Sequence, residues 1–232
     1  MNKKTLWLLI GLISLTGGLW AHDVWLVPKG DYLELLYGHE TPEVYNPVKV
    51  TQFQGYDQRG NLIPLEKKAM PQAFALKKNP RAAMITLTFD NGYWVAVSSS
   101  SPWLNVTEQT ARTFPAYSNP VKFHKSIYVW GPALAKPAGM KFEIVPLQDP
   151  FKASNFLPVQ VLFDGKPLTA AKVEYGLHGD TAPSVISDAE GKAMVPVTSH
   201  GEQFIAVDHS SPAPVPGQPR KSYTTSLRYE PK

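Results

Sequence analysis

The sequence of 232 residues contains no cysteine. This absence excludes disulfide bonds and thiolate metal sites. The stability of the chain must then come from the burial of apolar side chains, and any bound metal must be held by nitrogen and oxygen ligands.

Several familiar motifs are also missing. The sequence has no GxSxG, no HExxH and no glycine-rich phosphate-binding loop, so it offers no support for a hydrolase or a nucleotide-binding protein. Its formal net charge is +4, and its basic residues do not cluster. We therefore expect neither nucleic acid nor anionic lipid as a partner.

Residues 1–21 have the pattern of a secretory signal peptide. The lysines of MNKK precede the uncharged apolar run LWLLIGLISLTGGLW, which is short for a membrane span. Ala21 supplies the small residue that a cleavage site needs, although Leu19 is larger than usual. The pattern predicts export and a mature chain that begins at His22, with an uncleaved N-terminal anchor as the alternative.

Short runs of alternating or β-branched residues recur along the chain and are bounded by Pro, Gly, Asn and Asp. This pattern predicts a mostly antiparallel all-β protein. Four segments place Gly near Asp or Asn, as tight turns require; they are YDQRGN, FDNGYW, FDGKP and SDAEGK.

A proline-rich connector, PALAKPAG, indicates a domain boundary. We predict an N-terminal β domain at 22–138 and a C-terminal β-sandwich at 139–232. The apolar spacing of VKFHKSIYVW, just before the connector, fits neither the strand nor the helix period, so this segment is either a strand or a short helix.

The histidines are the main candidate ligands. His22, His39, His178 and His209 lie at predicted strand ends, and a β-sandwich gathers strand ends at two poles. For any one of them, a surface or hydrogen-bonding role is the ordinary alternative. His124 lies among lysines, and His200 lies in a turn where exposure to solvent is expected.

Cleavage after Ala21 would give His22 a property that no other position has. Its α-amine and the ring Nδ1 would close a chelate on one metal ion, and Asp23 is a candidate oxygen ligand. Nitrogen ligands of this kind suit Ni²⁺, Co²⁺, Cu²⁺ or Zn²⁺ better than Ca²⁺ or Mg²⁺.

The loops near the other histidines offer carboxylates. Glu40 and Glu43 are either ligands or solvated loop residues. Asp208 would orient the His209 ring only if both side chains reached one face, whereas adjacent strand residues point to opposite faces.

Several segments, taken in order, resemble a bacterial periplasmic family catalogued as a domain of unknown function: AHDVWLVP, YGHE, DNGYWV, FEIVPLQDPF, PVQVLFDGKPLTAAKV and SDAEGKAMVPV. Members of that family are linked to nickel and cobalt uptake as accessory components of energy-coupling-factor transporters. The resemblance covers nearly all of the mature chain. It implies an N-terminal β domain followed by a sandwich similar to carboxypeptidase-regulatory or fibronectin-like modules.

The same resemblance implies binding of a divalent transition metal in the periplasm, and the positions that match the family pattern are His22 and His39. With His209 as a third imidazole, we predict a nickel- or cobalt-binding protein that is not an enzyme and that delivers metal to membrane transporter subunits. Copper and zinc remain alternative ions. Two alternative functions remain: a β-sandwich interaction module without metal, and a copper-dependent oxidase acting on polysaccharide through an N-terminal histidine chelate.

Overall fold

The structure is a computed structural model that describes residues 22–38, 41–98, 101–176, 183–198, 200–210 and 218–231. Within these ranges the regular structure is almost entirely β, with one four-residue α-helix at Glu108–Ala111 and 3₁₀ helices at Pro47–Lys49 and Pro132–Ala135. The prediction of an all-β, sandwich-like fold is therefore confirmed.

The strands are, in chain order, β1 (Asp23–Lys29), β2 (Tyr32–Gly38), β3 (Val50–Tyr56), β4 (Leu62–Ile63), β5 (Lys67–Lys68), β6 (Ala75–Lys77), β7 (Met84–Asp90), β8 (Tyr93–Val95), β9 (Leu104–Val106), β10 (Ser118–Ile127), β11 (Phe142–Pro146), β12 (Phe156–Phe163), β13 (Lys166–Pro167), β14 (Lys172–Gly176), β15 (Ser184–Ile186), β16 (Lys192–Pro196), β17 (Gln203–Ser210) and β18 (Arg220–Tyr229).

These strands form three sheets. The N-terminal sheet has the order β1-β2-β6-β5, and the C-terminal sheet has the order β11-β12-β13 with β16 on the other edge of β12. The central sheet has ten strands, in the order β15-β14-β17-β18-β10-β7-β3-β4, with β8 joining β10 to β9. Its neighbours β10 and β18 run parallel, whereas the other paired strands are antiparallel.

The central sheet is covered on both faces. On one face, Ile85 and Leu87 pack in a core with Leu26 of the N-terminal sheet. On the other face, Phe123 and Leu227 pack in a second core with the C-terminal sheet. The apolar side chains on the two faces of the central strands therefore pack in two separate cores, which gives a layered β structure.

Strands from both sides of position 139 belong to the central sheet. The contact is made by β10, which precedes the connector, and β18, which is the last strand. The predicted domain boundary at 138/139 stays a prediction. Strands from both sides of that boundary pair in the central sheet.

The segment VKFHKSIYVW, which fitted neither period, contains most of the long strand β10. The segment shows no clear apolar period because both faces of the strand are buried and both carry hydrogen-bonded polar residues. On one face, Lys125 donates to Glu143 Oε1 at 2.6 Å, with both side chains 1% exposed. On the other, the His124 ring is fully buried.

The predicted turns are present. Gly92 has φ +76° and Gly165 has φ +71°, both in the left-handed region that favours glycine. In the first of these turns Asp90 Oδ1 accepts from the Gly92 N–H at 2.9 Å, which is the Asx-type contact expected of such a sequence.

Among the described residues, no helix is long and apolar enough to cross a membrane. The predicted signal peptide at 1–21, together with His39 and His178, lies outside the described residues.

Candidate functional site

A cavity of about 240 Å³ lies between the N-terminal sheet and one end of the central sheet. The strands β10 and β18 are ten residues long, whereas β1 has seven. Leu26 of β1 contacts the central sheet, since its N–H donates to His124 Nε2 at 3.4 Å, and His22 lines the cavity. The starts of β10 and β18 and the end of β17 form the cavity floor.

His22 stands at the edge of this cavity in a fixed orientation. Its ring stacks on Tyr37, with centroids 5.0 Å apart and planes at 7°. His22 Nε2–H donates to Glu43 Oε1 at 2.7 Å. Because a carboxylate only accepts, this bond places a ring proton on Nε2, so that in a neutral ring Nδ1 is the basic nitrogen.

Tyr37 is itself held by buried contacts. Its ring stacks on Phe89 at 5.2 Å, and its hydroxyl oxygen accepts from Asn91 Nδ2 at 3.0 Å. Burial raises the pKa of Tyr37 to about 12, so the hydroxyl stays neutral. The stack supporting His22 is therefore part of the core and does not depend on a surface loop.

The cavity floor carries two opposite charges in one row across three strands. Asp208 of β17 and Lys122 of β10 are both in register with Thr224 of the intervening strand β18. Thr224 Oγ1 donates to Asp208 Oδ1 at 2.6 Å. Lys122 is only 3% exposed, and burial lowers its pKa, partly offset by Asp23 and Asp208.

Asp208 is surrounded by protein on several sides but is open to solvent through the cavity. Desolvation raises its pKa to about 6, although the Thr224 hydrogen bond and the Lys122 charge act in the opposite direction. The carboxyl group therefore changes its charge near neutral pH.

Two tryptophan side chains also line the cavity. Trp94 is oriented by its indole N–H, which donates to the Asn91 carbonyl at 3.0 Å. Trp103, which is 41% exposed, lines the same cavity, whereas the Tyr223 ring lies on the opposite face of the sheet, 5.2 Å from Phe163. Arg220 adds a positive charge at the exposed start of β18.

His209 does not lie in this cavity. It follows Asp208 on β17 and points to the opposite face of the central sheet, where its ring lies 4.6 Å from Phe163 and 6.2 Å from Phe142. Asp208 therefore accepts from Thr224 on one face while His209 packs among aromatic rings on the other. The structure does not bring His22 and His209 together.

Within the described ranges, no group of three or more His, Asp and Glu side chains is arranged to hold a metal. His200, expected in a solvent-exposed turn, is exposed there, and its carbonyl accepts from Thr198 Oγ1 at 2.9 Å. His39 and His178 lie outside the described residues, so their part in a site stays a prediction.

Sequence reasoning missed the role of His124. Its Nδ1–H donates to Ser226 Oγ at 2.8 Å, and its Nε2 accepts from Ser126 Oγ at 2.7 Å and from the Leu26 N–H. The ring thus links the central sheet to the N-terminal sheet. The signal was the period-2 series Lys122, His124, Ser126, which alternates with the apolar Phe123 and Ile127.

Residues 19–211 match a family model described as Domain of unknown function (DUF4198). An uncharacterized protein of Haemophilus influenzae is 30% identical over 190 residues, which cover 80% of this chain and 80% of that protein. No solved structure matches the chain. The family match covers most of the chain, as far as the end of β17, and the chain therefore belongs to the family Domain of unknown function (DUF4198).

Proposed function

We propose that this protein binds a divalent transition metal, nickel or cobalt, in the periplasm and passes it to a membrane uptake transporter. The observation that carries the proposal is the setting of His22, which is held between Glu43 and Tyr37 at the edge of the cavity. The resemblance to a family linked to nickel and cobalt uptake supports the choice of metal.

The orientation of the His22 ring suits a chelate. If cleavage removes residues 1–21, the new α-amine lies on the same residue as Nδ1, and both can bind one ion. The Nε2–H to Glu43 bond is the kind of outer contact that fixes the tautomer of a metal-binding histidine and raises its basicity. The chelate is thus prepared before the metal arrives.

The second imidazole of the proposed site is His39, because it matches the family pattern together with His22. It lies outside the described residues, so its part in the site rests on the sequence. Because His209 lies on the other face of the sheet, the proposal rests on His22 and His39, with Asp23 as the candidate oxygen ligand.

The first test uses protein exported from its full-length gene without an N-terminal tag. Denatured intact mass should give a chain that begins at His22, and native mass should show one Ni²⁺ or Co²⁺ per chain. His22→Ala and His39→Ala should lose the metal. Glu43→Gln should weaken binding about tenfold or more, because it alters only the outer contact.

Two control variants separate this site from the other histidines. His209→Ala and His200→Ala should keep the metal, since one ring packs on the opposite sheet face and the other residue lies in an exposed turn. In cells, deletion of the gene should lower accumulation of radioactive nickel or cobalt. The wild-type gene should restore uptake and His22→Ala should not.

Four outcomes reject the proposal. A mature chain that begins elsewhere removes the chelate. Metal retained by His22→Ala places the site elsewhere, and a metal-free protein leaves the interaction-module alternative. Copper retained alone, with copper-dependent peroxide consumption, would favour the oxidase alternative, whose glycan would lie against Trp94 and Trp103.

A further inference from the structure

Lys122 and Asp208, which carry opposite charges, line the cavity beside His22 without contacting each other. Among the described residues, Lys122 and Asp208 form no ion pair, since their charged atoms are more than 4.0 Å apart. They are in register with the same residue of β18, so their Cα atoms are about two strand spacings, roughly 10 Å, apart. The side chains face a common space and leave a gap between the two charges.

Lys122 is costly to keep in this position. It is 3% exposed, and its side chain makes no hydrogen bond to any described residue. A buried ammonium is unfavourable unless it is paired and hydrogen-bonded. Asp23 and Asp208 compensate its charge only at a distance. A carboxylate entering the cavity would provide the missing contact.

Asp208 presents the complementary requirement. It accepts one hydrogen bond, from Thr224, and its carboxyl is open to the cavity, so it can accept from an ammonium group. A simple anion would satisfy Lys122 but would be repelled by ionised Asp208. A ligand that carries both charges would satisfy both residues at once.

The size and walls of the cavity limit the rest of the ligand. Its volume of about 240 Å³ is below the range of about 300–1,000 Å³ that is usual for drug-sized ligands. Trp94 and Trp103 supply aromatic surface. This lining favours a small ligand with an apolar or aromatic part.

We propose that the cavity binds a free α-amino acid with an apolar or aromatic side chain. Lys122 holds the carboxylate, Asp208 holds the ammonium, and the side chain lies against Trp94 and Trp103. This binding goes beyond the proposed metal function and needs no metal.

Isothermal titration calorimetry in EDTA tests the proposal on protein exported from its full-length gene. The probe is L-phenylalanine, with 3-phenylpropionate, which lacks the amine, and phenethylamine, which lacks the carboxylate. L-Phenylalanine should bind at one site per chain. Each analogue should bind about tenfold more weakly or worse, because each leaves one charged group without its partner.

Variants assign each charge to its residue. Asp208→Asn should reduce the preference for L-phenylalanine over 3-phenylpropionate, and Lys122→Met should reduce the preference over phenethylamine. Lys172→Met is the matched control, since Lys172 is an exposed lysine of the same sheet outside the cavity lining. Circular dichroism establishes folding, and Asp208→Asn, at an exposed position, keeps the test valid if Lys122→Met does not fold.

Absence of saturable L-phenylalanine binding overturns the proposal. Equal binding of L-phenylalanine and 3-phenylpropionate, or unchanged selectivity in Asp208→Asn, does so as well. Because the titration is run in EDTA, these outcomes are independent of metal binding, and loss of metal in His22→Ala leaves this proposal untouched.

Discussion

The ion pair between Lys125 and Glu143 gives the sharpest prediction about stability. Glu143 Oε1 accepts from Lys125 Nζ and from the Ala138 N–H, both at 2.6 Å, and Oε2 accepts from the Gly139 and Met140 N–H groups at 3.2 Å. Lys125 also donates to the Ile144 carbonyl at 2.9 Å. One carboxylate thus anchors the connector to the central sheet.

Glu143→Gln removes the negative charge and leaves the Lys125 ammonium buried without a counter-ion. Removing one partner of a buried pair costs about 3–5 kcal/mol in the free energy of unfolding. At roughly 2–4 °C per kcal/mol for a chain of this size, the expected fall in Tm is about 6–20 °C. Urea unfolding followed by tryptophan fluorescence measures the free energy directly, and calorimetry gives the Tm.

Two comparisons make the prediction specific. Asp164→Asn breaks the exposed Lys141–Asp164 pair, whose N–O distance is 2.7 Å, and should cost less than about 1 kcal/mol. The double variant Lys125→Met/Glu143→Gln should be more stable than Glu143→Gln alone, because no unpaired ammonium is left. A Glu143→Gln protein within about 1 kcal/mol of wild type would refute the reasoning.

Three further predictions concern pH and packing. Nickel or cobalt affinity should fall as pH drops from about 8 to 6, because the α-amine of His22 and the imidazoles must lose protons to bind; a flat titration contradicts the chelate. The pKa of Asp208 is raised from an ordinary 3.8 to about 6, so its protonation stabilises the fold below about pH 4, and that stabilisation is lost as pH rises to 6. Between pH 4 and pH 6, the Tm of Asp208→Asn should therefore fall less than the Tm of the wild type. Equal falls would contradict the raised pKa of Asp208. Gly131→Ala would make its Cβ overlap with the Gln58 carbonyl oxygen and should cost about 1–3 kcal/mol in urea unfolding. An unchanged midpoint would show that the backbone relaxes freely.

The strands and turns that follow local rules were predictable. The run DYLELLYG contains β2, EQFIAVDH contains most of β17, and the glycine turns at 92 and 165 have the predicted positive φ. These features depend on alternation and on the φ angles that a residue tolerates, and both are properties of neighbouring residues.

The segment containing β10 was not predictable by the same rules. Its polar residues looked unsuited to a buried strand, because their partners are distant in the chain. His124 meets Ser226, 102 residues away, and Lys125 meets Glu143 across the connector. Only these contacts make the burial of both side chains favourable.

The sequence by itself determined the all-β class, the glycine turns and the position of His22 at the start of a strand, because each follows from residues close together in the chain. Tertiary structure alone decided which face each side chain occupies and where one sheet stops covering another. It thereby separated His209 from His22 and placed Lys122 and Asp208 on one cavity floor. The reason is physical. Adjacent residues of a strand point to opposite faces of the sheet whatever the rest of the chain does, but the pairing of distant strands decides which residues contact each face.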